Sequence, residues 1–232
     1  MSLFVWSRLA RRDPKLLGVY FGGLLGAFTG AKLVYLAAEG WLFWDSPQRW
    51  LIWATGKTIL GALLGGYAGV EIAKMLLGYT RATGDLFAIV APIGIIFGRI
   101  GCLLHGCCLG HPCQPHWWTM RDAEGVARWP AVPLEIGFNL LALGVFLLLR
   151  YAPRRQNQAA RPILPGQHFH LYLIAYGLFR FGHEFFRETP RVLPGISGYQ
   201  FAALACVLLG AWGFQRRRRT PALLPPSSSS PE

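Results

Sequence analysis

Asp85-Leu-Phe-Ala-Ile-Val-Ala-Pro-Ile-Gly-Ile-Ile-Phe-Gly-Arg-Ile-Gly-Cys-Leu-Leu104 decides the fold class. A helix needs about 20 mostly apolar residues to cross a bilayer, and this stretch supplies them. Its interior charge, Arg99, falls about where the segment meets the membrane surface. An ionisable group at that depth is costly and marks a functional site by default. Gly98 and Gly101 beside it allow a backbone or a lipid head group to approach closely. The chain then runs His105-Gly-Cys-Cys-Leu-Gly-His-Pro-Cys113. Cys102, Cys107, Cys108 and Cys113, with His105 and His111, thus fall within fifteen residues of Arg99.

Apolar segments of similar length recur at Leu16 to Ala38, Thr58 to Leu77, Pro133 to Tyr151, Phe169 to Phe186 and Ile196 to Phe214. The pattern predicts an all-α, polytopic integral membrane protein with about six transmembrane helices. Residues 1–219 form a single transmembrane bundle in this reading, and the Pro/Ser-rich segment 220–232 is a disordered tail. The first apolar stretch is long and continues into a multi-span chain, so it is expected to be a retained span rather than a cleaved leader.

Hydrophobic residues make up 53% of the chain and charged residues 15%, against about 25% charged in a soluble domain. The net charge of +12 would suit nucleic acid, but the basic residues fall in short loops, and no basic helix with interleaved aromatics is present. No nucleic-acid partner is expected. Arg8, Arg11, Arg12, Lys15, Arg81, Arg150, Arg154, Arg155, Arg161 and Arg216 to Arg219 share one side of a six-span chain. Arg49, Arg121, Arg128, Arg187 and Arg191 share the other. The excess places both termini in the cytoplasm. The Cys/His segment then faces outward, as do Trp41, Trp44, Trp50, Trp53, Trp117 and Trp118, which read as interfacial anchors.

Lys32, Glu39, Lys57, Glu71, Lys74, Arg99, Glu135, Arg180, His183 and Glu184 lie within or at the ends of spans. Each is expensive there unless paired or hydrated. Arg180 and Glu184 have the i, i+4 spacing of a helix pair. Glu71 and Lys74 approach the cytoplasmic end, where a long side chain can snorkel. Two guanidiniums facing one cavity, Arg99 and Arg180, would form an anion site, because arginine stays charged when buried and presents a donor fork suited to phosphate. In the second span Gly61, Gly65 and Gly69 recur at the spacing of close helix packing.

Several motifs resemble those of the prolipoprotein diacylglyceryl transferase family. Gly98-Arg-Ile-Gly101 resembles its arginine signature. Ala175-Tyr-Gly-Leu-Phe-Arg-Phe-Gly-His-Glu-Phe-Phe-Arg187 resembles its late-helix motif more closely. Pro133-Leu-Glu135 resembles a short Pro-to-Glu motif, and Gly30-Ala-Lys-Leu-Val-Tyr35 an early helix. Order and spacing agree from about Gly22 to Phe214. The resemblance implies helices around a central lipid-binding cavity in a bacterial inner membrane. It also implies transfer of a diacylglyceryl group from phosphatidylglycerol to the lipobox cysteine thiol of a prolipoprotein, with glycerol phosphate leaving. The family's essential arginines map to Arg99 and Arg180, with Glu184 beside the second. Two departures stand out. Leu60-Gly-Ala-Leu-Leu-Gly-Gly66 carries no counterpart of the family's histidine, and cysteines replace the polar residues after Gly101.

Such a displacement needs a stabilised leaving phosphate and a deprotonated nucleophile. Arg99 and Arg180 would supply the first. His105, His183 and Glu184 are the candidate bases. Arg99, Arg180, Lys57, Glu135 and Tyr35 are expected to bind the lipid, and no metal or other cofactor is expected. For the cysteines three readings stand side by side. They are a disulfide pinning the outer loop, a metal site with His105, His111 or His116, and a catalytic thiol at Cys107 or Cys108. Two rival functions remain: a related phospholipid-dependent transferase with a small-molecule acceptor, and a non-enzymatic protein handling metal or thiols.

Overall fold

The computed structural model describes residues 13–151 and 164–219. The expected tail at 220–232 and the basic residues at positions 8, 11, 12, 154, 155 and 161 lie outside the described residues. Helix α1 spans Pro14–Ala38, α2 Arg49–Thr55, α3 Ile59–Leu77, α4 Gly84–His105, α5 Ala131–Tyr151, α6 His168–His183 and α7 Gly198–Arg219. Four of them, α1, α3, α4 and α5, are long and apolar enough to cross a membrane. The expected segment limits agree with α1 and α3 to α7 within a few residues. The fifth segment divides: α6 ends at His183, and Glu184–Phe186 form a 3-10 turn. The short α2 is an addition.

Local signals explain the helix ends. Asp13 caps α1 by accepting from the Leu16 N–H at 3.3 Å, with Pro14 in the first turn. Gly78 and Gly106 stop α3 and α4 in the left-handed conformation, at φ 59° and 62°, where glycine carries no β-carbon penalty. The Asp85 carboxylate accepts from the Gly166 N–H at 2.8 Å and pairs with His168 Nδ1 at 2.9 Å. These contacts fix the start of α6 against the start of α4.

Helices α1 and α3 form the closest pair in the bundle. Their contact is glycine on glycine: a β-carbon at Gly61, Gly65 or Gly69 would collide with the carbonyl of Gly30, Gly26 or Gly22. Close backbone approach of this kind drives helix association where no hydrophobic force operates. Helix α6 packs on α7 and α4 on α5. The core mixes aliphatic, aromatic and polar side chains, with Leu60, Leu173, Tyr172, Tyr176, Glu135, Asn139 and Gln200 fully buried. Apolar side chains such as Phe21, Leu25, Phe28, Leu76, Leu141 and Leu148 face outward. Polar groups inside and apolar ones outside suit a hydrocarbon surrounding.

The segments joining α1 to α3, α4 to α5 and α6 to α7 meet at one end of the bundle. In the second, Met120–Arg121 and Ala127–Arg128 pair antiparallel as β1 and β2. In the third, Arg191–Leu193 and Ile196–Ser197 do so as β3 and β4. Bridges between Gly110 and Arg187, and between Pro112 and Arg128, tie these segments together. Arg128 reaches Asp122 at 2.8 Å and Glu188 at 2.6 Å. The segment between α4 and α5 is thus held by backbone pairing and ion pairs. Of the three readings left open for the cysteines, the disulfide is not formed here: Cys102, Cys107, Cys108, Cys113 and Cys206 are all free.

Candidate active site

Glu135 lies in the first turns of α5 and is fully buried. Its Oε2 meets Arg99 Nη2 of α4 at 2.8 Å. Arg180 Nη1 of α6 and Arg187 Nη1, from the turn after α6, each stand 3.9 Å from the same oxygen. The other oxygen, Oε1, accepts a 2.6 Å hydrogen bond from the Tyr176 hydroxyl. Tyr172 donates to Asn139, whose amide donates to the Glu135 carbonyl, both at 2.7 Å.

Glu184 supports the second half of the cluster. Its Oε2 lies 2.7 Å from Arg180 Nη2 and 3.9 Å from Arg187 Nε. The Ser197 hydroxyl donates to Oε1 at 3.4 Å. Three buried guanidiniums therefore face two buried carboxylates, which leaves one positive charge. Arg99 Nε, Arg180 Nε and Nη1, and Arg187 Nε and Nη1 are buried with no hydrogen-bond partner among the described residues. Burial, then the positive charges of Arg180 and Arg99, push the Arg187 guanidinium below its ordinary pKa. Like charges held this close favour an incoming anion.

The three arginines line a cleft of about 760 Å³ with Tyr35, Glu39, Lys57, Cys102, Cys108 and Tyr199. Tyr199 donates to Glu39 at 2.5 Å, joining α7 to α1. Lys57 precedes α3 and stands over the Phe28 ring at 5.6 Å. Lys32 caps the C-terminal carbonyls of α2, with Nζ near the oxygens of Trp53, Ala54 and Gly56. Ile52, Thr55 and Gly56 of the same segment line the cleft. Ile59 and Gly98 line both this cleft and an apolar groove of about 390 Å³ bounded by α1, α3 and α4, with Leu24, Leu63, Phe87 and Val90 in its wall.

The structure thus brings Arg99, Arg180, Glu135, Glu184, Lys57 and Tyr35 together, with His183 beside the charge cluster but not lining the cleft, and His105 apart from it. His105 is exposed at the end of α4 and does not line the cleft. His183 is buried against Phe179, with ring centroids 4.9 Å apart, and neither ring nitrogen has a hydrogen-bond partner among the described residues. Arg187 does not stand out in the sequence because it falls in the segment after α6 rather than within an apolar span. The spacing Arg180, Glu184, Arg187 could have found it, since residues four and seven apart share a helix face.

Partial loss of solvent around the exposed Cys107 thiol, helped by Cys108 and Cys102, pushes it up to about 12. Burial also pushes Cys108 up, but the Arg99 and Arg187 guanidiniums and hydrogen bonds from Cys107 and Cys102 outweigh it. The net direction at Cys108 is down.

A family model described as prolipoprotein diacylglyceryl transferase matches residues 1–216. The chain is similar to the phosphatidylglycerol–prolipoprotein diacylglyceryl transferase of Rhodospirillum rubrum, at 31% identity over 226 residues covering 92% of this chain and 78% of the relative. The protein of that name from Bordetella parapertussis is 28% identical over 216 residues, 88% of this chain and 76% of the relative. That from Azospirillum brasilense is 29% identical over 216 residues, 87% and 77%. No solved structure matches the chain.

Proposed function

Because the chain belongs to the prolipoprotein diacylglyceryl transferase family, we propose that it transfers a diacylglyceryl group from phosphatidylglycerol to the cysteine thiol of a prolipoprotein, in the cleft above Glu135. It is a multi-pass membrane protein of the bacterial inner membrane in this account. Six helices (α1, α3 to α7) cross the bilayer around the cleft, both termini are cytoplasmic, and the cleft opens outward.

The observation that carries the reading is the surplus of one positive charge among Arg99, Arg180, Arg187, Glu135 and Glu184 on a cleft that shares Ile59 and Gly98 with an apolar groove. A phosphodiester carries one negative charge and matches the surplus. The groove between α1, α3 and α4 takes the acyl chains. With the phosphate on the guanidiniums, the glycerol carbon joined to it faces the cleft.

The acceptor thiolate attacks that carbon. A carbon–sulfur bond forms, the carbon–oxygen bond to phosphate breaks, and the electron pair leaves on glycerol phosphate. Preorganised guanidinium donors stabilise the charge that gathers on the leaving phosphate, which is where such donors act most strongly. The same positive field favours the thiolate form of an incoming cysteine, so neither His105 nor His183 is needed in the cleft. The thiol proton passes to solvent at the cleft mouth. Glu135 and Glu184 hold the arginines apart and in register, and Lys57 and Tyr35 contact the glycerol head group.

The test is transfer from acyl-labelled phosphatidylglycerol in membranes holding a lipobox substrate protein. Label in the protein, with glycerol phosphate released in equal amount, is the expected result. Label confined to a small product would replace the acceptor, and no transfer would remove the reading.

A further inference from the structure

Three cysteines converge at the end of α4. The Sγ atoms of Cys102, Cys107 and Cys108 all lie within 4.8 Å of one another. The backbone is bent to bring them there. Helix α4 stops at left-handed Gly106, and the Cys107 N–H closes back on the Cys102 carbonyl at 3.1 Å. Cys108 then adopts φ 63°, a conformation that a β-carbon disfavours. Strain of this kind persists only where the surroundings hold it, and it gathers at functional sites. The bridge from Gly110 to Arg187 anchors the far side of the turn.

We propose that Cys102, Cys107 and Cys108 form a three-thiolate site for a soft or borderline cation of the Zn²⁺ or Cu⁺ class, with a further coordination position open to the cleft. A zinc–sulfur bond of about 2.3 Å places ligand sulfurs ~3.8–4.0 Å apart. Closing the observed trio onto an ion therefore needs side-chain rotation and no rebuilding of the chain. Sulfur donors select soft and borderline ions over calcium or magnesium. Glu135 and Glu184 do not compete as ligands, because arginines engage them.

Charge also fits. Three thiolates around a divalent ion carry one net negative charge. Arg99 Nη1 stands 3.8 Å from Cys102 Sγ, and Arg187 lines the same cleft, so with no phosphate in the cleft a compensating cation is in place. Three protein ligands with an open fourth position is the pattern of a reactive site, whereas structural zinc is closed by four. Cys102 and Cys108 line the cleft, which turns that position towards whatever enters it. Cys113 is outside the trio, and Cys206 is buried in α7 beside the Leu60 carbonyl. The geometry of the trio does not rest on the lipid-transfer reading, although the site shares the cleft and its arginines with it.

The test uses the full-length protein in detergent, reduced and freed of metal, then titrated with Zn²⁺ alone and with Cd²⁺ alone. Bound metal is read by elemental mass spectrometry, and thiolate coordination by the ultraviolet sulfur-to-cadmium band. One equivalent is expected in wild type and in Cys113→Ser. At least tenfold weaker binding is expected in Cys107→Ser and Cys108→Ser, with circular dichroism and gel filtration unchanged. Cys107 is exposed, so its replacement leaves the core alone. Absence of stoichiometric metal overturns the proposal, as do serine variants that bind like wild type. Rapid disulfide formation among the three, with a loss of two mass units and no metal uptake, also overturns it.

Discussion

Arg99 Nη2 lies 2.8 Å from Glu135 Oε2, and both side chains are buried. Two ions out of water are costly unless geometry and further hydrogen bonds compensate. Here Tyr176 binds the second carboxylate oxygen, and Arg180 and Arg187 crowd the first. The pair is the pivot of the cluster: Glu135 holds three cations close enough to share one anion.

Removing Glu135 should therefore harm the fold more than the chemistry requires. Glu135→Ala leaves three buried guanidiniums without their central counter-charge and should cost about 3–5 kcal/mol. Glu135→Gln keeps an acceptor for Tyr176 and should cost less. Thermal unfolding in detergent separates the two. Equal melting temperatures would mean that the pair does not hold the cluster.

The glycine contact between α1 and α3 makes a sharper contrast over one residue. A methyl at Gly65 would strike the Gly26 carbonyl, whereas at Gly66 its nearest neighbour is the Ala27 methyl at 3.4 Å. Gly65→Ala should sharply reduce the yield of folded protein, and Gly66→Ala should not. Fluorescence-detected size exclusion reads both variants.

Gly98 tests the route between cleft and groove. A β-carbon there meets nothing within 4 Å, although the residue lines both spaces. Gly98→Leu should fold normally, obstruct the junction and raise KM for phosphatidylglycerol several-fold. An unchanged KM would place the acyl chains elsewhere.

The two adjacent cysteines should differ in reactivity. In the reduced, metal-free protein the lowered Cys108 pKa keeps thiolate present as pH falls below the ordinary thiol value, about 8.5. Cys107, near 12, stays protonated across that range. Iodoacetamide at neutral pH should modify Cys108 first, with the preference narrowing only in strong alkali. Peptide mass spectrometry reads the order, and faster labelling of Cys107 would contradict the field attributed to Arg99 and Arg187.

Much of this was legible in the chain. Apolar length alone placed the long helices, because hydrocarbon allows few alternatives. The Gly61, Gly65, Gly69 spacing foretold the α1–α3 contact, and the i, i+4 spacing foretold Arg180 with Glu184. Glu135 was a candidate ligand but not a hub, since its role depends on three arginines from different segments meeting at one oxygen. Arg187 was hidden by its place in a loop, whose docking through Gly110 is tertiary. Cysteine density is the plainest signal of the segment between α4 and α5, and it leaves disulfide, metal and thiol readings open. The pairing of β1 with β2 and the Arg128 ion pairs that hold it instead left little trace in composition.

The most direct measurement is kcat/KM for transfer from acyl-labelled phosphatidylglycerol to a lipobox protein, with wild type beside Arg180→Gln and Arg180→Lys. If the arginine cluster carries the leaving phosphate, Arg180→Gln should fall by ~100-fold or more while still folding, and Arg180→Lys should recover part of the loss by keeping the charge. A folded Arg180→Gln protein within twofold of wild type would contradict the account.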